Sequence, residues 1–400
     1  MPLLYLVLVL IVVAAIGYFL GRQKAAAASE GNLSTLHSLM SFHGWSVALA
    51  TFLAGIVTLV IWLLIDSYLG IDGSNIIGTI LGLAAAAVAF FMSHRAIDRD
   101  YRARNSTERM VMGILIAASS IAILTTLGIV LSMLYETGHF FSQYSWTHFF
   151  FGTEWTPRFK GNSELGMLPL LWGTLYVSFI ALTVSVPIGL FAAVYLSEYA
   201  SPGVRAVAKP MIEILAGIPT IVYGLFALIT VGPLLRDYFA GPMGIGDSTR
   251  SVMTAGLVMG IMLIPFVSSL SDDIINAVPQ AMRDGSYGLG ATKSETIKQV
   301  IIPAALPGIV GAILLAASRA IGETMIVVLG AGAAAQLSLN PFEAMTTVTV
   351  KIVSQLTGDT DFAAPETLVA FALGITLFVL TLGLNVLALY IVRKYREQYE

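Results

Sequence analysis

Long apolar runs, separated by short polar segments, dominate the chain. A helix that crosses a bilayer needs about 20 mostly apolar residues. Nine stretches are long enough, so the pattern predicts an all-α, polytopic membrane protein with about nine transmembrane helices. The eighth stretch is rich in glycine and alanine, and we expect it to tilt or break near Gly330–Gly332. The predicted spans are residues 3–20, 46–65, 75–92, 111–134, 172–197, 211–235, 252–271, 305–335 and 368–392.

The composition indicates that lipid is the main solvent of this chain. Hydrophobic residues make up 57% of the 400 positions and charged residues 11%, whereas soluble domains carry roughly 25% charged residues. The chain has no cysteine, and its five histidines show no metal-ligand spacing, so no metal site is predicted. No G-x4-G-K-S/T loop occurs and no acid–base pair stands out, so we expect neither ATP binding nor a catalytic residue. The net charge of −3 does not indicate a nucleic-acid partner, and none is expected.

Basic residues in the short loops predict the orientation in the membrane. Five arginines mark the loop 93–110 as cytoplasmic, and the loop 66–74, which has no Lys or Arg, is expected outside. The N-terminus is then outside and the C-terminus cytoplasmic, in a multi-pass protein of the cell (inner or plasma) membrane. Arg22 and Lys24 follow the first span rather than precede it, which argues against a cleaved signal peptide.

A change of character near residues 100–110 predicts two regions. Residues 1–104 hold three spans with few polar features, and we interpret them as an accessory region. Residues 105–400 hold six spans with longer, structured loops. Function is therefore expected to reside in the second region.

The loop 272–304 is polar, yet it has the pattern of two short helices. Pro279 suits the first turn of a helix over Gln280–Tyr287, and Gly290 supplies a turn that tolerates positive φ. The capping box Thr292–Glu295 opens a second helix. Ile297, Val300 and Ile301 give that helix one apolar face. Pro303 is expected to end it.

The same loop contains a spaced motif. The triplet Asp284-Gly285-Ser286 is followed by Gly290 and then by Val300-x-Ile302-Pro303. This spacing resembles the EAA loop of ABC importer permeases, E-A-A-x3-G-x9-I-x-L-P. The triplet departs from E-A-A, and the glycine at 285 weakens the first helix by about 0.5–1 kcal/mol relative to alanine.

The resemblance implies a role for this loop and a fold for the second region. Residues 105–400 would be an ABC importer permease domain with a six-helix, MetI-like core. Residues 279–303 would be its cytoplasmic coupling loop, which docks into a groove of a separate ATPase. The orientation predicted from charge places this loop inside, as docking requires. The implied coupling residues are Asp284, Gly285, Ser286, Gly290 and Pro303.

Two opposite charges lie in the eighth predicted span. Arg319 and Glu323 are four residues apart and are therefore predicted on one helix face. A charged side chain at mid-membrane costs roughly 2.5–3.5 kcal/mol on insertion scales, and such residues usually face a cavity or a partner. Two interpretations are open here, an ion pair that only holds the helix in place, or a pair that lines a substrate path.

Phosphate suits the second interpretation. A guanidinium matches two phosphate oxygens, and the hydroxyl that phosphate keeps near neutral pH can donate a hydrogen bond to a carboxylate. Arg319 would attract both phosphate and sulfate. Sulfate lacks a proton near neutral pH, so Glu323 would repel it and thereby select phosphate.

Two strings resemble a specific family. They are Arg319-Ala320-Ile321-Gly322-Glu323-Thr324-Met325 and Gly217-Ile218-Pro219-Thr220-Ile221-Val222-Tyr223-Gly224. They are similar to the phosphate permeases of the Pst system, and to PstC more than to PstA. The resemblance covers about residues 110–400, and the three-span leader is an extension beyond it. It implies uptake of inorganic phosphate, with Arg319 and Glu323 as the substrate-binding residues.

The resemblance also implies partners. These are a PstA-like second permease, a PstB-like ATPase dimer and a PstS-like phosphate-binding protein, in addition to membrane lipid. No cofactor is expected on this chain, because ATP and magnesium would sit on the ATPase. Two alternatives stay open: an ABC permease for another oxyanion such as sulfate or phosphonate, and an ion-coupled secondary transporter, for which inverted repeats would be expected.

Two further segments give expectations about structure. Pro219 is expected to kink the sixth span, as a hinge or for packing alone. The aromatic-rich stretch Phe140–Phe151 is predicted to lie along the membrane surface. Contact with a substrate-binding protein is the alternative for this stretch.

Overall fold

The computed structural model describes residues 3–30, 36–69, 74–158, 163–358 and 363–396. Helices make up most of these residues and the two strands have two residues each, so the all-α prediction is confirmed. The elements are α1 (Leu3–Ala28), α2 (Met40–Leu69), α3 (Ser74–Arg95), α4 (Ala103–Gln143), α5 (Trp146–Phe151), β1 (Trp155–Thr156), β2 (Glu164–Leu165), α6 (Leu168–Val194), α7 (Pro202–Ala216), α8 (Thr220–Phe226), α9 (Gly232–Leu235), α10 (Val252–Ala277), α11 (Gln280–Gly288), α12 (Lys293–Thr296), α13 (Ile302–Ile321), α14 (Met325–Gly330), α15 (Val348–Gly358) and α16 (Pro365–Arg396). Strands β1 and β2 pair antiparallel, and π-helical turns cover Tyr195–Tyr199, Ala227–Val231, Arg236–Ala240 and Ile297–Ile301.

Nine helical segments in the described part of the chain are long and apolar enough to cross a membrane. This number confirms the prediction from hydropathy. The segments are Tyr5–Ala28, Met40–Tyr68, Ile76–Arg95, Ala103–Gln143, Leu168–Tyr199, Thr220–Ala240, Val252–Ala277, Lys293–Ile321 and Pro365–Lys394.

The sixth predicted span, 211–235, is wrong at its start. Helix α7 ends at Ala216 and α8 begins at Thr220, so Pro219 separates two helices rather than kinking one. The physical reason is local: proline has no N–H to donate, and it disfavours helical backbone in the residue before it. The hydroxyl of Tyr223 donates to the carbonyl of Leu215 (2.8 Å) and so satisfies an acceptor at the end of α7.

The eighth predicted span, 305–335, is also not one helix. Helix α13 ends at Ile321, and α14 begins only at Met325. A second interruption follows α14, where Gly332 has a φ of 94°, so the break expected near Gly330–Gly332 is present. The first break was not predicted, because the apolar run continues through it.

The chain divides into two compact units, Met1–Leu127 and Gly128–Glu400. The division lies within α4, a helix of 41 residues. At 1.5 Å per residue α4 is about 60 Å long, roughly twice the thickness of a bilayer's hydrocarbon core. The boundary at residues 104 and 105, which the sequence predicts on functional grounds, stays a prediction.

In the first unit, α1, α2 and α3 pack against one another. Glycines let α1 and α2 touch backbone to backbone, as small residues do between membrane helices. A Cβ atom on Gly21 would lie 2.9 Å from the carbonyl oxygen of His43, and one on Gly44 would lie 2.8 Å from that of Tyr18. The ammonium of Lys24 donates to the carbonyl of His94 (2.6 Å) and thereby caps α3.

In the second unit, α6 and α10 form the central pair, and α10 is the most buried of the described spans. Their close approach again depends on glycine. A Cβ atom on Gly256 would lie 2.6 Å from Ile180 Cγ2, and one on Gly260 would lie 2.8 Å from Val184 Cβ. Residues of α8 and α14 complete this core.

The aromatic-rich stretch Phe140–Phe151 is partly buried within the second unit. Phe140 and Phe149 are fully buried and pack with Trp155 of β1, Leu165 of β2 and residues of α16. These two rings therefore serve packing, and the location of the stretch along the membrane surface stays a prediction. Phe151 remains exposed.

Gly173 of α6 tests the close packing in the second unit. A Cβ atom there would lie 2.1 Å from the carbonyl oxygen of Thr346, so Gly173→Ala forces the backbone apart. Overpacking typically destabilises a protein by about 1–3 kcal/mol. We expect a lower thermal midpoint for the purified variant in detergent. Gly128→Ala is the control, because no heavy atom lies within 4 Å of its Cβ position; equal midpoints for both variants would contradict the packing.

Candidate functional site

The loop after α10 folds as a compact hairpin of two short helices. Helix α11 covers the predicted segment, and Gly290 turns the chain with a φ of 85°. The predicted capping box is present: the side chain of Thr292 accepts from the N–H of Glu295, whose carboxylate accepts from the N–H of Thr292 (2.8 Å). We call residues 279–303 the coupling hairpin.

Pro303 does not stop the second helix, and that expectation was wrong. The π-helical turn Ile297–Ile301 joins α12 to α13, so the helix runs from the coupling hairpin into the next span. Pro303 lies in the first turn of α13. The π-helical turn before it changes the hydrogen-bond pairing, and the helix continues through a residue that has no N–H to donate. Ile297 and Ile301 are buried, as predicted.

The three residues of the predicted triplet differ in their exposure and contacts. Asp284 and Gly285 are exposed, and Asp284 accepts a hydrogen bond from Gln280 Nε2 (3.0 Å). Ser286 points inward, where its hydroxyl lies 2.9 Å from that of Thr296. Asp284 and Gly285 are therefore available to a partner, whereas Ser286 ties α11 to α12.

An exposed apolar tip lies beside the triplet. Leu289 is 92% exposed and Tyr287 is 40% exposed. An apolar side chain so fully exposed at a helix end is a candidate for burial in a partner. The sequence motif did not single out Leu289, although an apolar residue between two turn glycines was the available signal.

A buried ion pair fixes the coupling hairpin to the spans. The Arg283 guanidinium donates to Glu198 Oε1 from Nε (3.2 Å) and Nη2 (3.0 Å), and both side chains are about nine-tenths buried, at 10% and 8% exposed. It also donates to the carbonyls of Ile275 (2.7 Å) and Val278 at the end of α10. One side chain of α11 thus holds the ends of α6 and α10. Sequence reasoning missed this, because the partners are 85 residues apart.

A second charged cluster joins α7 to α10. Asp272 is 1% exposed and lies in α10, not in a loop as predicted. It accepts from Arg205 Nη2 (3.1 and 3.0 Å), from Lys209 Nζ (2.7 Å) and from Asn276 Nδ2 (2.9 Å). The hydrogen bond from Lys209 to Asp272 raises the pKa of Lys209 above its ordinary value. The i, i+4 spacing of the two cations was the signal that could have suggested a shared partner.

Arg319 lies beside the middle of α10 and lines a cavity. Its guanidinium carbon is 5.8 Å from the centre of the Phe266 ring, and Phe266 lies near the middle of α10. The cavity of about 290 Å³ is lined by residues of α7, α8, α10 and α13, including Glu213 and Thr220. Arg319 is exposed to it and forms no ion pair with any described residue.

Glu323 does not share a helix face with Arg319, so that prediction was wrong. The break after Ile321 lies between them, and Glu323 Oε1 accepts from the N–H groups of Met325 (3.0 Å) and Ile326 (3.4 Å) at the start of α14. A carboxylate in this place caps the new helix. The backbone carbonyl of Glu323 accepts a hydrogen bond from Thr349 Oγ1 (2.9 Å). Within the described residues the two charges are not paired with each other, which gives no support to the purely structural ion pair.

The glycine string of α8 packs against this break. A Cβ atom on Gly224 would lie 2.8 Å from Leu329 Cδ1 and 2.9 Å from the carbonyl oxygen of Met325. Helices α8 and α14 therefore meet with almost no side chain between them. The arrangement can present a free guanidinium to an anion at mid-membrane, next to two interrupted helices.

Arg283 tests whether the coupling hairpin depends on its buried ion pair. Arg283→Met leaves Glu198 buried without its cation, and breaking a buried pair in this way costs about 3–5 kcal/mol. We expect a lower thermal midpoint, and partial recovery in the double variant Arg283→Met, Glu198→Met. Lys298→Met removes an exposed cation of the same hairpin and is the control. Equal midpoints for Arg283→Met and Lys298→Met would contradict the clamp.

Curated relatives match more than half of the chain. It is 32% identical over 250 residues to the phosphate transport system permease protein PstC of Mesorhizobium japonicum, covering 58% of this chain and 74% of that protein. It is 35% identical over 251 residues to PstC 1 of Mycobacterium tuberculosis, covering 57% and 72%. The probable ABC transporter permease YqgH of Bacillus subtilis is 31% identical over 218 residues, covering 54% and 69%.

A solved structure shows the same fold. One chain of a bacterial alginate ABC transporter, in complex with an alginate pentasaccharide-bound periplasmic protein, aligns with a TM-score of 0.51 at 16% identity. The alignment covers 73% of this chain and 97% of that chain. At this identity the likeness concerns the fold alone.

Two family descriptions match the sequence. Residues 7–71 match "Phosphate ATP-binding cassette transporter". Residues 185–397, more than half of the chain, match "Binding-protein-dependent transport system inner membrane component". Together with the nine candidate spans, this confirms a multi-pass membrane protein and the resemblance to ABC importer permeases. The chain belongs to the family of binding-protein-dependent transport system inner membrane components.

Proposed function

We propose that this chain is the transmembrane permease subunit of an ABC importer that takes up inorganic phosphate. The observation that supports this substrate is the guanidinium of Arg319, which faces a cavity beside the middle of α10. An arginine within a membrane span favours an anionic partner; Glu213 lines the same cavity, but no described residue forms an ion pair with Arg319. The PstC relatives support phosphate as that partner.

Arg319 and Glu323 have separate roles in this proposal. The Arg319 fork binds two phosphate oxygens. Glu323 Oε1 is engaged by two backbone N–H groups, and its other oxygen has no hydrogen-bond partner among the described residues. That oxygen accepts a hydrogen bond from the hydroxyl of hydrogen phosphate, whereas sulfate has no hydroxyl to donate and is repelled. The helix break thus fixes the carboxylate while leaving it one free acceptor.

The proposed partners follow the family's organisation. A PstA-like second permease completes the pathway, and a PstS-like binding protein delivers phosphate from outside. A dimer of PstB-like ATPases binds ATP and magnesium, and this chain carries no cofactor. The N-terminus is outside and the C-terminus cytoplasmic, which puts the coupling hairpin on the ATPase side.

The coupling hairpin passes movement of the ATPase to the spans. Asp284, Gly285 and Leu289 present the docking face, and Gly290 sets its turn. Arg283 joins that face to α6 and α10, and the continuous helix through Pro303 joins it to α13. A shift of the hairpin therefore moves three spans as a rigid body.

Competition experiments distinguish phosphate from the alternative substrates. Sulfate or phosphonate would bind the same guanidinium, so uptake of labelled phosphate in their presence distinguishes these alternatives. An ion-coupled transporter has no support from membership of this family.

Substitutions at Arg319 and Glu323 test the substrate site by uptake of labelled phosphate into cells. Hydrogen bonds to a charged group contribute about 1.5–3 kcal/mol, so we expect Arg319→Gln to lower uptake about 10- to 150-fold. Glu323→Gln still caps α14 but lets sulfate compete, so sulfate should now inhibit uptake. Arg109→Gln, an exposed cation of α4, is the control. Normal uptake and unchanged selectivity in both variants, at normal membrane levels, would refute the site.

Leu289 tests the docking face. Leu289→Asp places a charge where an apolar contact with the ATPase is proposed, and we expect the ATPase to be lost during purification of the complex. Leu39→Asp changes another exposed leucine, 72% exposed, and should leave the complex intact. Retention of a full complement of ATPase by Leu289→Asp would show that the tip is not buried in the partner.

A further inference from the structure

An apolar groove in the first unit has no part in the proposed transport function. It has a volume of about 560 Å³ and lies between α1 and α2. Four aromatic side chains and three alanines are among its lining residues, and none of the lining residues is charged. Both helices are long and apolar enough to cross the membrane. The groove therefore opens toward lipid rather than water.

The aromatic end of this groove is held rigidly. The Tyr18 ring packs on the backbone of α2, where a Cβ atom on Gly44 would lie 2.7 Å from Tyr18 Cδ2. The rings of Tyr18 and Trp45 meet edge to face with centroids 5.2 Å apart. A groove with fixed walls binds a chain-like ligand with little loss of its own conformational freedom.

Hydrocarbon is the occupant that suits the groove. Water is stable in a cavity only where it has two to four polar partners, and this lining is almost entirely apolar. Ile11, Ala15 and Tyr18 form one stripe along α1, at spacings of four and three residues. An acyl chain can lie along that stripe.

A free cation stands at the end of the same stripe. Arg22 follows Tyr18 by four residues, and its guanidinium carbon lies 5.6 Å from the centre of the Tyr18 ring. Arg22 is exposed, and no described residue forms an ion pair or hydrogen bond with its side chain. Lys24, in contrast, is engaged by the end of α3. A guanidinium at this place complements a phosphate headgroup.

We propose that this groove binds one anionic phospholipid. Its acyl chain lies along Ile11, Ala15 and Tyr18, and its headgroup phosphate contacts Arg22. Tyr18 and Trp45 lie at the level of the lipid headgroups, where aromatic side chains with a polar edge are enriched. The predicted orientation puts this end at the cytoplasmic leaflet, which carries anionic lipid. The accessory region then ties the transporter to that lipid.

Native mass spectrometry of the full chain, purified in detergent, tests the proposal with two probes. They are dioleoylphosphatidylglycerol and dioleoylphosphatidylcholine, which have the same acyl chains and differ in headgroup charge. One cation near an anionic headgroup contributes about 1 kcal/mol, which corresponds to about fivefold tighter retention of the anionic lipid. We expect Arg22→Gln to remove this preference and Arg22→Lys to keep it. Arg95→Gln, an exposed cation of α3, should leave it unchanged.

Three results would overturn the proposal. The first is equal retention of the two lipids by the unmodified chain. The second is loss of the preference in Arg95→Gln as large as in Arg22→Gln, since the effect would then be one of general charge. The third comes from a photo-crosslinking side chain at Trp45: crosslinks to lipid support the groove, and crosslinks to a protein subunit show that a partner helix covers it.

Ala15 provides a second variant that does not depend on charge. Ala15→Phe fills the groove and should reduce retention of both lipids. Its thermal midpoint shows whether the variant is folded. Undiminished lipid retention in a folded Ala15→Phe variant would place the lipid elsewhere.

Discussion

The ion pair between Arg283 and Glu198 is the constraint that holds the coupling hairpin to the ends of α6 and α10. Both side chains are nearly buried, so neither charge is tolerable without the other. The remaining donors of Arg283 reach carbonyls at the end of α10, where a helix leaves its acceptors unsatisfied. A hairpin that would otherwise be a flexible polar loop is thereby part of the same rigid body as α6 and α10. That rigidity is what a coupling element requires, because force on its tip must reach the spans without being absorbed.

The interrupted helices of the spans also depend on particular side chains. Backbone groups that lose their helical partners in lipid must find others, and here Glu323 and Tyr223 supply them. Because the break after Ile321 is satisfied by the chain's own carboxylate, Arg319 is left without a counter-ion. Arg319 faces a cavity although a charge within a span is penalised, and in the proposed function the substrate anion is the partner that relieves this penalty. The substrate proposal is therefore a consequence of where the backbone breaks.

The charges at Asp272 and at Arg319 are balanced in different ways. Near the C-terminal end of α10, Asp272 is neutralised by Arg205 and Lys209, so that cluster joins α7 to α10. Arg319, by contrast, packs beside the Phe266 ring and shares its cavity with Glu213, but it forms no ion pair with a described residue. The two arginines thus differ in that Arg205 is paired with a buried carboxylate and Arg319 is not.

The sequence by itself determined the features that depend on local chemistry and on the solvent. The number of spans follows from the length of apolar runs, and the turn at Gly290 and the capping box at Thr292 follow from interactions within four residues. Family motifs added the coupling loop and the pair of Arg319 and Glu323 as candidates. Tertiary structure decided the rest. It placed a helix break between those two charges, because the N–H groups of α14 and the carbonyl of Glu323 have partners there. It paired Arg283 with Glu198 and Arg205 with Asp272, 85 and 67 residues away. Spacing cannot predict such contacts, because they arise only when separate helices pack and two charges must share one buried site.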